Sequence, residues 1–374
     1  MIIKYEGAIR SGVMEGQGLA EYDDGQVYQG VWKNGKRHGT GTLTYKNGAT
    51  YSGSWVNDVK EGQGTCHYQN GNAYTGSWKA GMACGTGTQT FGNGDRYEGG
   101  WKDGMMSGQG TYTYANGYVY EGEWERDDKN GKGRQAFAGV GGGGEEPEKV
   151  AAAEGVDWYE GQWKDGNHHG QGEYHFENGD VYVGSWVDHR MEGKGKMVYT
   201  NGGGEYEGEF RGDARYGQGV YRSSSPPYTY EGAWAGDLQH GFGKLSSKDE
   251  GAYEGFFKRG KKHGEGKLRS ALGDVTEGTW KDGHLSGHAM VRYKTGDRYT
   301  GGSEKGLRSG KGTMFSVKTG YDFTGTFENG VKNGPGLLRL PCGATVEGTW
   351  LIGNLIGNSK FSFPPNSEWN DPRY

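Results

Sequence analysis

The sequence is poor in the residues that build membrane spans, disulfide scaffolds and nucleic-acid-binding surfaces. Only 32% of its 374 residues are hydrophobic, and no apolar run approaches the roughly 18 residues of a membrane-spanning helix. Its three cysteines, Cys66, Cys84 and Cys342, form no Cys-x-x-Cys pair, which favours a reducing compartment over a disulfide scaffold. A net charge of −5 gives no general basic field and argues against nucleic acid as a partner. A repeat begins within the first residues, so we expect no signal peptide.

Glycine is what the sequence has in excess, with 78 residues, together with 12 tryptophans and 26 tyrosines. So much glycine is typical of disordered chains, but here the glycines are periodic. Residues 28–50, 51–73 and 74–96 each open Tyr-x-Gly-x-Trp, carry Gly-x-Gly near the middle and close near Asn-Gly. This pattern predicts a repeat protein. Its opening positions are Tyr5, Tyr28, Tyr51, Tyr74, Tyr97, Tyr120, Tyr159, Tyr182, Tyr206, Tyr230, Tyr253, Thr276, Tyr299, Phe323 and Val346.

Each repeat is predicted to be a β-hairpin. Tyr, Gly and Trp fall at alternate residues, which is the period of a strand with one apolar face. The Gly-x-Gly half alternates as well, with threonines on the other face, and Asn-Gly turn signals separate the halves. We therefore expect an all-β fold, an elongated, twisted, single-layer antiparallel sheet of about fifteen stacked hairpins of 23 residues.

The turn between repeats predicts how neighbouring hairpins pair. A three-residue turn around residues 46–48, closed by a glycine bulge, places Trp55 opposite Gly39. The same turn places Gly53 opposite Gly41.

The turn within a repeat is predicted to contain four residues, 34–37, which places Trp32 against Gly39 and Gly30 against Gly41. Both turns then set an indole over a glycine of the neighbouring strand, so the aromatic layer is the predicted core. The core positions are represented by Tyr28, Gly30, Trp32, Gly39, Gly41, Tyr51, Gly53 and Trp55.

The repeats predict four segments. Repeats occupy residues 1–135 and 158–359, and their match to the consensus weakens from about residue 276. Residues 136–157 are rich in glycine and acidic residues, and we interpret them as a flexible insertion, either a tolerated loop extension or a hinge or docking segment. Residues 360–374 form a C-terminal cap or tail.

The repeat Tyr-x-Gly-x-Trp-x-x-Gly-x-x-x-Gly-x-Gly resembles the MORN repeat, the "membrane occupation and recognition nexus", over almost the whole chain. The resemblance implies hairpins stacked into an elongated sheet, in agreement with the pattern above. MORN arrays occur beside lipid kinases, in junctional membrane proteins, in ciliary radial spokes and as all-repeat cytoskeletal scaffolds. Without an appended catalytic domain in its sequence, the chain is most similar to the last two groups, and the resemblance implies a homodimer.

Motifs typical of enzymes are weak here. Residues 30–37 and 255–262 match the glycine and lysine spacing of a phosphate-binding loop, but both lack the following Ser or Thr and lie in a strand–turn–strand context. The histidines that precede the mid-repeat glycine are interpreted as turn residues rather than metal ligands. No Ser–His or paired-carboxylate arrangement stands apart from the repeat. We therefore expect no enzymatic activity, no cofactor and no metal. The histidines are His38, His168, His169, His240 and His263.

Two turns are strongly basic, whereas the others are nearly neutral. Basic residues contribute about 1 kcal/mol each near an anionic bilayer, so these turns are candidates for peripheral contact with anionic phospholipid. Solvated turns without a ligand remain the alternative. The candidate residues are Lys33, Lys36, Arg37, Lys258, Arg259, Lys261 and Lys262.

The expected function is that of a non-enzymatic scaffold that mediates protein–protein contacts in a cytoskeletal or ciliary (flagellar) assembly, with a membrane boundary as one location. The alternative is a phosphoinositide-binding module that regulates a separate enzyme, such as a phosphatidylinositol phosphate kinase. The expected partners are cytoskeletal or ciliary proteins, and the expected location is cytoplasmic, at such a structure.

Overall fold

A computed structural model describes residues 1–137, 156–365 and 367–368 of the chain. The chain divides into an N-terminal unit, residues 1–191, and a C-terminal unit, residues 192–374. Both units are built from antiparallel β-hairpins, and no α-helix is present among the described residues. Most of the predicted insertion, residues 138–155, and part of the predicted tail, residues 366 and 369–374, lie outside the described residues.

Within the N-terminal unit, strands that follow one another in sequence pair antiparallel. The strands are β1 (Ile2–Arg10), β2 (Val13–Tyr22), β3 (Val27–Lys33), β4 (Lys36–Thr44), β5 (Thr50–Val56), β6 (Val59–His67), β7 (Ala73–Lys79), β8 (Met82–Thr90), β9 (Arg96–Lys102), β10 (Met105–Thr113), β11 (Val119–Glu125), β12 (Asp128–Ala136), β13 (Trp158–Lys164), β14 (Asn167–His175) and β15 (Val181–Val187). The predicted order of hairpins is therefore confirmed here.

The C-terminal unit repeats the same arrangement. Its strands are β16 (Arg190–Tyr199), β17 (Gly204–Arg211), β18 (Ala214–Ser224), β19 (Pro227–Ala235), β20 (Leu238–Ser247), β21 (Gly251–Lys258), β22 (Lys261–Ser270), β23 (Val275–Lys281), β24 (His284–Arg292), β25 (Arg298–Glu304), β26 (Leu307–Ser316), β27 (Tyr321–Glu328), β28 (Val331–Arg339), β29 (Thr345–Leu351) and β30 (Asn354–Ser362). The thirty strands of the described residues confirm the predicted all-β fold.

The turn between repeats has the predicted length and register. Residues 46–48 form the turn, the Tyr45 amide donates to the Ala49 carbonyl across 2.9 Å, and Gly48 has a φ of 85°. Glycine adopts this left-handed conformation without the steric cost that a Cβ would bring. Trp55 pairs with Gly39 on the preceding hairpin, as predicted.

The turn within a repeat is shorter than predicted. It holds two residues, Asn34 and Gly35, with φ of 52° and 73°, and Asn-Gly is the preferred sequence for a turn with two left-handed residues. Trp32 therefore pairs with Arg37 instead of Gly39, and the predicted four-residue turn is wrong. The predicted pairing of Gly30 with Gly41 is kept, because a β-bulge on β4 absorbs the extra residues.

The core is an aromatic ladder on one face of the sheet. Tyr28 is buried edge-to-face against Trp32 of its own strand, at 5.2 Å between ring centroids, and against Trp55 of the next repeat, at 5.6 Å. The Trp55 indole N–H donates to the Gly41 carbonyl across 3.0 Å, and the Tyr28 hydroxyl donates to the Val31 carbonyl across 3.1 Å. Edge-to-face pairs of this kind contribute about 1 kcal/mol beyond burial, so each repeat stabilises its neighbour.

The ring that covers the glycines belongs to tyrosine, which corrects the prediction that the indole does so. A Cβ built on Gly41 would lie 2.5 Å from Tyr28 Cζ, and one built on Gly30 would lie 2.6 Å from Tyr28 Oη. A Cβ built on Gly39 would instead meet Val31. The Gly30–Gly41 pair therefore makes room for the tyrosine, while the indole lies between successive rings.

Candidate functional site

The face opposite the aromatic ladder is the surface that the sheet offers to other molecules. Over β3–β8 many of its side chains are uncharged hydroxyls and amides, joined across strands by hydrogen bonds such as Thr42–Ser52 and Thr65–Thr75, both 3.0 Å. In the C-terminal unit the same face carries cross-strand ion pairs, for example Lys267–Glu277 at 2.8 Å. The predicted placement of threonines away from the core is confirmed by these contacts.

At the first predicted basic turn some cations are exposed, and one is held by contacts within the protein. Lys33 and Lys36 are exposed on either side of the two-residue turn. Arg37 folds back toward the aromatic face, where only 19% of its side chain is exposed. Its guanidinium forms an ion pair with Asp58 at 3.1 Å and lies 4.4 Å from the Trp55 ring. A cation held over an indole in this way covers the core, so Arg37 is not free for a ligand.

The second predicted basic turn is arranged in the same way. Lys258, Arg259 and Lys261 are exposed. Lys262 has only 15% of its side chain exposed, forms an ion pair with Glu250 at 3.1 Å, and lies over the rings of Tyr253 and Trp280. The structure therefore brings together three exposed cations at this turn and two at the first.

The cations that lie over rings share one position, five residues after the repeat position that holds Trp or Phe in most repeats, and the sequence alone did not identify it. The two-residue turn explains this position, because it pairs the second residue of the following strand with the Trp or Phe position, as in Trp32–Arg37 and Phe257–Lys262. The cations found over rings at this position are Arg37, Lys60, Lys129, Arg215, Lys262, Arg308 and Lys332.

His168 occupies the same position in its repeat and is almost fully buried, with 5% exposed. Its ring stacks on Tyr159 at 3.8 Å, and neither ring nitrogen has a hydrogen-bond partner within residues 1–137 and 156–365. Burial lowers the pKa of His168 to about 3, and the nearby charges of His189 and Lys129 act in the same direction. The imidazole is therefore neutral and packs as a core ring.

The histidines predicted as turn residues all lie in strands, so that interpretation is wrong. Because the turn holds only two residues, these histidines lie among the first residues of the strands that follow it, β4, β14, β20 and β22. The described part of the chain contains no group of three or more His, Cys, Asp or Glu side chains placed to hold a metal ion. It also contains no helix with the length and apolar character needed to cross a membrane.

An apolar patch on the opposite face was not foreseen from the sequence. Phe242, Phe256 and Met290 are each about half exposed, at 49%, 48% and 48%. Phe242 pairs directly with Phe256, with ring centroids 5.7 Å apart, and all three side chains line a groove of 570 Å³. The available signal was their place at outward strand positions, since the positions of Phe242 and Met290 hold Thr, Gln or Lys in most other repeats.

Comparison with protein families matches the MORN repeat model along most of the chain. The fifteenth hairpin, β29–β30, is the one outside these matches. The matched residues are 5–27, 28–50, 51–73, 74–96, 97–117, 120–139, 159–181, 182–204, 206–225, 230–251, 253–275, 277–298, 299–318 and 323–343.

No curated protein sequence matches the chain. Among solved structures, the wild-type TCP10 domain of Danio rerio CPAP is similar with 10% identity and a TM-score of 0.22, covering 71% of this chain and 94% of that domain. The SAS-4 (dCPAP) TCP domain of Drosophila melanogaster, in complex with a proline-rich motif of Ana2 (dSTIL), is similar with 12% identity and a TM-score of 0.21, covering 52% and 84%. TM-scores this low establish no common overall fold, so these structures carry no functional argument.

Proposed function

This chain belongs to the MORN-repeat family, and from that premise we propose that it is a non-enzymatic scaffold that binds partner proteins through the face opposite its aromatic ladder. The family assignment rests on repeats matched over most of the chain. Repeat arrays commonly present a continuous binding surface built from equivalent positions. The proposed location is a cytoskeletal or ciliary assembly in the cytoplasm, with the chain acting as a homodimer.

The apolar patch is the observation that carries this proposal. Phe242, Phe256 and Met290 lie in a groove on a face where equivalent positions are mostly polar. Leaving half of two aromatic rings and a methionine in water costs free energy that a partner surface recovers. Aromatic residues and methionine are also the types enriched where proteins bind one another. A groove of 570 Å³ is large enough for side chains of a partner.

A cell-fractionation experiment tests the proposal. The full-length tagged chain is compared with a Phe242→Ser, Phe256→Ser variant, and the readout is enrichment in the detergent-insoluble cytoskeletal fraction. The expected result is enrichment of the wild type that falls several-fold in the variant. The matched control is Val56→Ser, Val59→Ser, because these two valines are exposed to a similar degree but flank a turn of the N-terminal unit. An even cytosolic distribution of the wild type, or equal losses in both variants, contradicts the scaffold function.

The exposed basic turns favour a second candidate, a phosphoinositide-binding regulatory module. Lys33 and Lys36 at one turn, and Lys258 and Lys261 at another, have no ion-pair partner within the described ranges. The test is liposome flotation with and without phosphoinositide, on wild type and on a variant with these four lysines changed to glutamate. Arg37 and Lys262 stay unchanged because they cover the core. Selective binding lost in the variant supports the module, and no binding at physiological salt rejects it.

A further inference from the structure

Three arginines form a row on the exposed face of the C-terminal unit. Arg269 on β22 and Arg292 on β24 both pair with Val275 of the strand between them, and Arg292 also pairs directly with Arg298 on β25. All three arginine side chains are exposed on the face opposite the aromatic ladder. At about 4.8 Å per strand, the row spans about 14 Å.

This row is not neutralised by the protein. Within residues 156–365, no carboxylate lies at ion-pair distance from the guanidinium of Arg269, Arg292 or Arg298. Direct opposition of like charges, as between Arg292 and Arg298, destabilises a sheet. A sequence that keeps such a pair, in a protein of net charge −5, gives up stability at this point, as proteins do at binding sites.

The adjacent row on the same face shows the contrast. There, Lys244 pairs with Glu254 at 3.3 Å and Lys267 pairs with Glu277 at 2.8 Å. Lys267, through its hydrogen bond and its charge, lowers the pKa of Glu277, and Arg292 adds a weaker effect in the same direction. Glu277 therefore forms its ion pair with Lys267 and interacts only weakly with Arg292, and the arginine row has no ion-pair partner of its own.

The arginine row adjoins the apolar patch. Met290 and Arg292 point outward from the same strand, two residues apart, which is about 6.7 Å along β24. The Arg298 guanidinium lies 5.0 Å from the Phe315 ring, and this contact holds it in place while leaving N–H groups free to donate. Met290 thus lies directly beside the arginine row, whereas Phe256 lies on the other side of the row that contains Lys267 and Glu277. The glutamates Glu254, Glu265 and Glu277 also line the groove.

We propose that this surface binds an acidic segment of a partner protein in an extended conformation, with an apolar side chain on Phe256 and Met290 and its acidic groups on Arg269, Arg292 and Arg298. This inference rests on the proposed scaffold function and names the chemistry of its partner. Guanidinium groups bind carboxylate or phosphate oxygens through two parallel hydrogen bonds. Because the groove that holds Phe256 and Met290 is also lined by Glu254, Glu265 and Glu277, it favours a peptide side chain over an anionic bilayer.

Fluorescence anisotropy with the full chain tests the proposal. The probes are three labelled twelve-residue peptides in which leucine alternates with aspartate, with phosphoserine, or with asparagine. Both acidic peptides are expected to bind at least tenfold more tightly than the asparagine peptide, and the two together distinguish carboxylate from phosphate as the preferred group. Changing Arg292→Glu and Arg298→Glu is expected to weaken acidic-peptide binding by about tenfold or more. Met290→Ser is expected to weaken it by a smaller factor, because it removes only apolar contact.

The matched control is Lys258→Glu, Lys261→Glu, which makes the same change in net charge at an exposed turn of the same unit and is expected to change binding by less than about twofold. The single variant Arg292→Glu gains an attraction to Arg298 across β24 and β25 and loses the weak attraction of Arg292 to Glu277, so its melting temperature is expected to change little. A loss of binding by that variant is then not a loss of folding.

Three results overturn the proposal: no preference for the acidic peptides, equal losses in the control, or displacement of the peptide by phosphoinositide vesicles that bind through Arg292 and Arg298. Enrichment in the cytoskeletal fraction distinguishes a failure of the scaffold function from a failure of the acidic-partner proposal. If the Arg292→Glu, Arg298→Glu chain stays enriched there and the peptides do not bind, the scaffold stands and the acidic partner is rejected. If the wild type is not enriched, the scaffold itself is rejected.

Discussion

The repeat of residues 28–50 and the repeat of residues 276–298 solve the same packing problem in opposite ways. In the first, Tyr28 lies over a pair of glycines, Gly30 and Gly41. In the second, threonine replaces the tyrosine, and Ala289 pairs with Gly278 where the second glycine would be. Ala289 is fully buried, and a Cβ built on Gly278 would meet Leu285 rather than a ring. A methyl group and a leucine thus fill the space that the missing ring leaves.

In the last hairpin the ring and one glycine are again both replaced. In the repeat that begins at Phe323 the ring is kept, and so are both glycines. Val346 replaces the tyrosine of the last hairpin, and Ser359 lies near Gly348 in place of a glycine. Phe323 replaces a tyrosine but keeps its ring, and a Cβ on Gly336 would lie 2.5 Å from Phe323 Cζ, so both glycines of that repeat are retained. The weaker sequence match from about residue 276 therefore reflects coupled replacements. A ring requires two glycines, and a repeat without the ring gives one of them up.

The largest effect is expected from forcing a side chain under a ring. In Gly41→Ala the new Cβ would overlap the buried Tyr28 ring, and neither the ring nor the strand can move without losing the ladder contacts. We expect the free energy of unfolding to fall by about 3 kcal/mol, measured by urea titration of the far-UV circular dichroism signal. The matched control is Gly348→Ala, where the new group meets only the half-exposed Leu355 and Ser359, and where the loss is expected to stay below about 1 kcal/mol. Similar losses in the two variants would contradict the role of the ring.

The second prediction concerns substitutions that give the repeat of residues 28–50 the residue combination of the repeat that begins at Thr276. Tyr28→Thr alone is expected to cost about 3 kcal/mol because it leaves a cavity over two glycines. Tyr28→Thr with Gly41→Ala reproduces the combination of Thr276 and Ala289 found in the later repeat, so the two costs should not add. The double-mutant cycle is expected to give a coupling of about 2 kcal/mol. Simple additivity in the same titrations would mean that the Thr276 repeat is stabilised by something other than this exchange.

The third prediction concerns the side chain that covers the tyrosine ring. This side chain is a cation in several repeats and a histidine, His168, in one. Where His168 stacks on Tyr159, the imidazole has a folded-state pKa of about 3, below its ordinary value near 6.5. Above pH 6.5 the group is neutral in both states and has no effect. Below it the unfolded chain binds a proton that the folded chain does not, so stability falls as pH drops from about 6.5 toward 3. The expected loss is about 2 kcal/mol between pH 6.5 and 5.

His168→Phe keeps a stacked ring without the titrating group, and it is expected to flatten this part of the stability–pH curve. Burial also lowers the pKa of His189, so a smaller slope of the same sign is expected to remain. His67→Phe is the control, because His67 is exposed on the opposite face. An unchanged slope in His168→Phe would show that other groups cause the acid sensitivity.

The periodic pattern was enough to predict the hairpins and the pairing between repeats, because alternation and turn length fix which residues share a face. It was not enough to choose between the two aromatic rings. Tyr28 and Trp32 have the same spacing from Gly30, and only the three-dimensional arrangement assigns the tyrosine to the glycine pair. The turn at Asn34 and Gly35 was misjudged because the bulge at Gly39 restores the expected Gly30–Gly41 pairing even when the turn is two residues shorter.

In the candidate site, too, some side chains could be placed from the sequence and others could not. Exposed cations such as Lys33 and Lys36 could be placed from the sequence because turn residues project into solvent. Arg37 could not, because its direction depends on Asp58 of the next hairpin, 21 residues away. The arginine row was missed for a similar reason: Arg269, Arg292 and Arg298 are distant in sequence, and only the strand register brings them together.

The smallest effect is expected from replacing a cation that covers a ring of the ladder. Arg37→Met keeps the length of the side chain over Trp55 but removes the ion pair with Asp58 and the attraction of the guanidinium to the indole. Because Asp58 is 42% exposed, the pair is partly screened, and the change is expected to cost about 1 kcal/mol or less. Met106 and Met191 already occupy the same position in other repeats, so methionine fits there. The control is Lys36→Met on the neighbouring exposed residue, with no expected change in the urea midpoint. A loss from Arg37→Met as large as that from Gly41→Ala would mean that the ladder depends on its covering cations as much as on its rings.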